Sequence, residues 1–219
     1  MPFVVPAILT ADQKEASSRL AVLCEKQLPL HIDVIDAEWG IPTLLPADWV
    51  TLRSTIPTWP AYVECHLMVD DPLSYFNHVS QLAQTVIVHV ETIHDYHKLA
   101  AAASAAQLNI VLTAKPDTAL QNDLTAEGWQ IMGVNPGAAG QKQRPDTPLR
   151  VAAAATGGRA TILSVDGGVT LNNASTLVEA GANRLVVNSA YWQAADPDRF
   201  FRSLTSIVAG GEHGVSGSD

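Results

Sequence analysis

The sequence predicts an α/β fold, with eight parallel strands closed into a (β/α)8 TIM barrel, on three observations. Short apolar runs alternate with helical stretches at spacings of about 25 residues, and eight such units follow one another. Hydrophobic residues make up 47 % of the chain and charged ones only 16 %, which suits strands buried on both faces. The polar residues cluster at the C-terminal ends of strands 2, 3, 6, 7 and 8, where they converge only if the sheet closes. A doubly wound open sheet is the competing architecture, and it is weakened because no glycine fingerprint opens the first helix.

In chain order, Phe3 to Leu9 reads as strand 1, and Ala11 to Lys26 carries helical apolar spacing through Leu20, Leu23 and Cys24. Strand 2 is His31 to Asp36, and Pro46 opens a helix through Trp49, Val50 and Leu52. Strand 3 runs from Ala61 to Met68, and Asp71-Pro72 caps a helix holding Tyr75, Phe76, Val79 and Leu82. Thr85 to Glu91 is strand 4, followed by an alanine-rich helix from Tyr96 to Gln107. Strand 5 is Asn109 to Ala114, with a helix expected from Ala119 to Glu127. Strand 6, Trp129 to Val134, ends in the loop Asn135 to Gln141. Strand 7, Thr161 to Val165, ends in Asp166-Gly167-Gly168 and precedes a helix at Asn172 to Ala180. Strand 8, Arg184 to Val187, leads through Asn188-Ser189 to a helix at Arg199 to Val208. One domain over residues 1 to 209 is expected, with a flexible tail over 210 to 219.

The net charge of −9 argues against nucleic-acid or anionic-membrane partners, which need basic patches. An anionic substrate must therefore be held by backbone dipoles or a metal ion. Cys24 and Cys65 give no disulfide framework and read as reduced thiols of a cytoplasmic protein. No signal peptide or membrane-spanning run is present in the sequence as given. Apolar helix faces leave room for a subunit interface, and a homo-oligomer is expected.

Strand parity selects the residues that can do chemistry. His31 and Asp33 share a face of strand 2, as do Glu64, His66 and Met68 on strand 3, and Ser164 and Asp166 on strand 7. Facing inward, two imidazoles and two aspartates would meet at the mouth, a donor set suited to one divalent ion: Zn, Fe(II), Mn or Co. A single strand histidine is as readily a hydrogen-bonded core group, so it is the combination that favours ligation. Asp36 has the opposite parity and reads as structural or supporting. His89 and Glu91 either line the pocket or serve plain hydrogen bonding, while His78, His94, His97 and His213 are expected in solvent. The glycines at 137, 140, 167 and 168, with Asn188-Ser189, fit either an anion cradle or sterically required turns.

His31-Ile32-Asp33-Val34-Ile35-Asp36, Cys65-His66-Leu67-Met68-Val69 with Asp71-Pro72, His89-Val90-Glu91, Met132 to Gly137 with Gly140-Gln141-Lys142, and Val165 to Val169 together resemble the ribulose-phosphate 3-epimerase family. The resemblance runs from Pro6 to about Trp192 in family order. It implies a ribulose-phosphate-binding barrel that inverts C3 of a ketose phosphate, D-ribulose 5-phosphate to D-xylulose 5-phosphate, as part of pentose phosphate metabolism. His31, Asp33, His66 and Asp166 would be the metal ligands, and Asp33 and Asp166 would double as the acid/base pair. Met68 and Met132 would line the intermediate, and Gly137, Gly140, Gly167, Gly168, Asn188 and Ser189 would contact the substrate. The family usually has serine at Ala7, methionine at Ile35 and glycine at Ala37, Ala139 and Asn188, and Glu38-Trp39-Gly40-Ile41-Pro42 replaces a different loop. A different sugar substrate, or a non-catalytic relative, is the alternative those departures keep open.

Overall fold

Each strand pairs in parallel with its sequence neighbours, and the first pairs with the last, so the sheet closes into a barrel and the open-sheet alternative falls away. The structure is a computed structural model that describes residues 3–120, 124–157 and 161–210. The strands are β1 (Phe3–Ile8), β2 (Leu30–Ile35), β3 (Val63–Met68), β4 (Thr85–His89), β5 (Asn109–Ala114), β6 (Gly128–Met132), β7 (Ile162–Asp166) and β8 (Arg184–Val187). Around them lie α1 (Gln13–Glu25), α2 (Pro46–Thr55), α3 (Phe76–Val79), α4 (Tyr96–Ala105), α5 (Thr147–Thr156), α6 (Leu171–Glu179), α7 (Ser189–Trp192) and α8 (Pro197–Gly210).

Side-chain alternation along each strand divides the interior in two. Ile32, Val34, Cys65, Leu67, Val86, Val88, Leu112, Ile131, Val165 and Leu185 point outward into one apolar layer with Leu20, Trp49, Leu99, Val151, Leu177 and Leu204 of the helices. The other parity faces the barrel axis, and there β2 and β3 stay buried along their whole length although they carry His31, Asp33, Glu64 and His66. Register places His31 opposite Glu64, Asp33 opposite His66, and Met132 opposite Asp166.

Capping explains where several helices begin. Asp12 accepts hydrogen bonds from the Lys14 and Glu15 amides before α1, and Asp95 accepts one from the Lys98 amide before α4. Three expectations need correcting. Among the described residues no helix follows β5: residues 119, 120 and 124–127 are irregular, and 121–123 lie outside the described residues. Asp117, Thr118, Asn122, Asp123 and Thr125 crowd that stretch, and such side chains compete for backbone hydrogen bonds. Leu120, Leu124 and Ala126 nevertheless cover the core there. The helix expected after β3 is a 3-10 turn, Pro72–Tyr75, leading into the single turn of α3. Gly210 closes α8 instead of opening the tail, and residues 211–219 lie outside the described residues. The sequence reading also passed over α5 and the short α7.

One glycine sets how closely β6 and β7 approach. A Cβ on Gly128 would lie 2.1 Å from the Ile162 carbonyl oxygen, so Gly128→Ala must push the strands apart. The expected outcome is a loss of about 1–3 kcal/mol, typical of overpacking, read by urea denaturation.

Candidate metal centre

His31 and Asp33 stand on β2, His66 on β3 and Asp166 at the end of β7, and the barrel brings one donor atom of each within 4.8 Å of all the others. His31 Nε2 lies 3.2 Å from Asp33 Oδ1 and 4.0 Å from Asp166 Oδ2, while His66 Nδ1 lies 3.1 and 3.4 Å from the same two oxygens. A tetrahedral ion with ligands at 2.0–2.1 Å separates its donors by about 3.3 Å, so the spacings of 3.1, 3.2 and 3.4 Å lie near the edges of such a site, and the 4.0 Å one is longer. Two imidazoles and two carboxylates also suit a borderline divalent ion in chemistry. The residues present therefore fit the expected metal.

The ring nitrogens that face away from the donor set are also held. His31 Nδ1 meets Glu64 Oε1 at 2.7 Å, and His66 Nε2 meets His89 Nε2 at 2.9 Å, with the His66 and His89 rings stacked. The amide of Gln130, fully buried on β6, donates to Asp166 Oδ2 at 3.3 Å. Asp36 accepts hydrogen bonds from the backbone of Glu38, Trp39 and Asp70, so it ties the loop after β2 to the end of β3 and stays outside the donor set.

Burial opposes charge throughout the centre, but the pairing overrides it in three places. It works against a protonated His31, yet the neighbouring Asp33 and Glu64 raise its pKa well above the ordinary value of 6.5. Burial works against ionised Asp33, yet His31 and His66 depress its pKa. His66 is raised in turn, with Asp166 and Asp33 outweighing burial. For His89 burial wins and lowers the pKa to about 4, which leaves a neutral ring able to accept a hydrogen bond from His66. Because the folded value of His31 is raised, its contribution to metal-free stability is complete below pH 6.5 and is lost as pH rises through the raised value. Thermal melts of chelator-treated protein should therefore fall with rising pH across that interval. Divalent-ion affinity should climb over the same interval, because the ion competes with the imidazole proton.

Above the donors a cavity of about 940 Å³ opens at the C-terminal mouth. Asp33, Asp166, Met68 and Met132 form its floor, and Gly137, Gly140, Gly167, Gly168, Asn188 and Ser189 stand in its wall, while His31 and His66 lie buried behind the two aspartates and do not line it. Gly167 and Gly168 hold φ of +102° and +66°, and a Cβ on Gly168 would lie 2.5 Å from the Gln143 amide nitrogen. Asn188 has φ −116°, outside the left-handed region that favours glycine. Lys142 and Arg144 also line the cavity, although Arg144 is engaged with Asp117 and Asp146.

The opposite half of the mouth is covered. The Trp39 ring lies over His89, with ring centroids 4.5 Å apart, and the Lys115 ammonium sits 4.1 Å above the indole. Next to it Gly40 meets Gly137 of the loop after β6 so closely that a Cβ on Gly40 would lie 2.8 Å from the Gly137 Cα. Sequence reasoning missed the parts played by Gln130, Arg184 and Trp39. Glu64 was placed on the correct face but given no role.

Comparison with known proteins agrees with this geometry. The model of the family described as "Ribulose-phosphate 3 epimerase family" matches residues 3–192. The chain is 29 % identical over 215 residues to the ribulose-phosphate 3-epimerase of Mycobacterium leprae, covering 93 % of each chain. It is 26 % identical to that of Schizosaccharomyces pombe, covering 94 % of this chain and 93 % of the relative. Among solved structures, 3-hexulose-6-phosphate synthase from Salmonella typhimurium superposes with a TM-score of 0.69 at 17 % identity, over 96 % of this chain and all of that one, a likeness of fold alone. Among the described residues no helix is long and apolar enough to cross a membrane.

Proposed function

The chain belongs to the ribulose-phosphate 3-epimerase family, and from that premise we propose that it inverts C3 of a ketose phosphate, interconverting D-ribulose 5-phosphate and D-xylulose 5-phosphate. The observation that carries the reading is the meeting of His31, Asp33, His66 and Asp166 in one cluster whose two aspartates reach the floor of the cavity. These four side chains would hold one divalent ion, drawn from Zn, Fe(II), Mn and Co. When bound, such an ion stabilises the negative charge that develops on the substrate ketone oxygen as the C3 proton leaves.

The chain's own residues account for the rest. Inversion requires a proton to leave one face of C3 and another to arrive on the opposite face, so two groups must flank the carbon. Asp33 from β2 and Asp166 from β7 reach the cavity floor from strands separated by β1 and β8. One carboxylate takes the proton as a base, and the other, protonated, returns one; the reverse reaction exchanges the roles. Met68 and Met132, each 2 % exposed, present thioethers beside the reacting carbon and exclude water from it. The loops after β6, β7 and β8 line the cavity, and their backbone amides would hold the phosphate there. The cytoplasmic setting expected from the reduced thiols belongs to the same reading.

The test is proton exchange at C3 in heavy water, followed by NMR with protein loaded separately with each of the four metals. Deuterium at C3 together with xylulose 5-phosphate is expected. No exchange despite stoichiometric metal uptake would overturn the substrate assignment and direct the search to other sugars.

A further inference from the structure

Beneath the donor set lies a charge pair to which the reaction above gives no part. Glu64 and Arg184 are 0 % and 4 % exposed inside the barrel. Glu64 Oε1 faces His31 Nδ1 at 2.7 Å, and Glu64 Oε2 accepts from the Arg184 guanidinium and, at 2.8 Å, from the Tyr62 hydroxyl. The guanidinium is itself fixed, 4.3 Å from the centroid of Phe3 and 5.2 Å from that of Tyr62. A carboxylate offers only acceptors, so His31 must carry a proton on Nδ1, and when a metal displaces the proton on Nε2 the lone pair freed there faces Asp33 and Asp166.

We infer that Glu64 and Arg184 are positioning residues for the metal: Arg184 holds Glu64 in place, and Glu64 fixes the His31 tautomer that can ligate through Nε2. This rests on the metal reading proposed above. It makes an unusual demand of the conservative change Glu64→Gln. The amide has one acceptor and one donor end, and the permanently charged Arg184 claims the acceptor. The donor end then turns to His31 Nδ1, which must accept, and the ring proton moves to Nε2, where it blocks ligation. Replacing Arg184 as well frees the amide to turn its oxygen back to His31.

The experiment measures zinc dissociation constants by competition with a chelating dye on the wild type, E64Q and E64Q/R184M. The expected result is zinc binding weakened about 10- to 100-fold in E64Q, the usual cost of losing such a partner, with most of the loss recovered in the double variant. A merely structural role predicts that the double variant binds no better than E64Q, and that outcome overturns the inference. E64Q binding as tightly as the wild type overturns it too. A wild type that takes up no zinc overturns the metal reading and this inference with it. Two-bond nitrogen correlations of His31 in the zinc-loaded wild type need no variant to fold: a protonated Nδ1 is expected, and zinc on Nδ1 overturns the inference.

Discussion

Asp166→Asn should lower epimerisation by about 10²- to 10⁴-fold, the contribution of a positioned acid or base, while the fold persists. The asparagine keeps the volume of the aspartate and can still meet Gln130, whose amide lies 3.3 Å from Asp166 Oδ2. It cannot take or return a proton at C3. The two-base scheme makes a sharper demand as well. With only Asp33 left, a proton can be removed and returned on one face of C3, so residual solvent exchange should be confined to one of the two epimers. Kinetics at saturating metal and deuterium uptake from each epimer separately would check this. Equal exchange into both epimers, or undiminished turnover, would sink the pairing of Asp33 with Asp166.

Arg184→Met should have the largest effect on stability, about 3–5 kcal/mol, because it removes the cation from a buried pair and leaves Glu64 charged in the barrel interior. Globular domains are stable by only about 5–15 kcal/mol, so the variant should unfold at markedly lower urea. Arg184→Lys keeps the charge but loses the planar contact with Phe3 and Tyr62, and should fall between the two. A loss under about 1 kcal/mol in Arg184→Met would place the pair among interactions that contribute nothing net. Glu64→Gln in the same background should regain stability, since no uncompensated charge remains.

The barrel and its donor set were legible in the sequence because both depend on local pattern. A histidine and an aspartate two residues apart in an apolar run must share a face of a strand, and the same parity places His66 and Asp166. What lies underneath was not legible. Arg184 reaches Glu64 across 120 residues of sequence, and that contact follows from barrel closure between β1 and β8, which no periodicity encodes. Gln130 gave no signal because a neutral amide on a strand looks like any polar residue until Asp166 is seen beside it. The helix expected over Ala119 to Glu127 failed for the opposite reason: its apolar residues do cover the core, but from an irregular stretch among the described residues. Trp39 belonged to a loop noticed only as a departure, and its place over His89 depends on where β4 ends.

The contact between Gly40 and Gly137 joins the loops after β2 and β6 over the mouth. The two loops form a handle across the barrel top, with Trp39, His89 and Lys115 under one side and the open cavity on the other. The open side is lined by the loops after β6, β7 and β8. On the function proposed above, the reacting end of a sugar phosphate would reach Asp33 and Asp166 and its phosphate would stay among the glycine loops. The handle would then set which end of such a molecule goes in first.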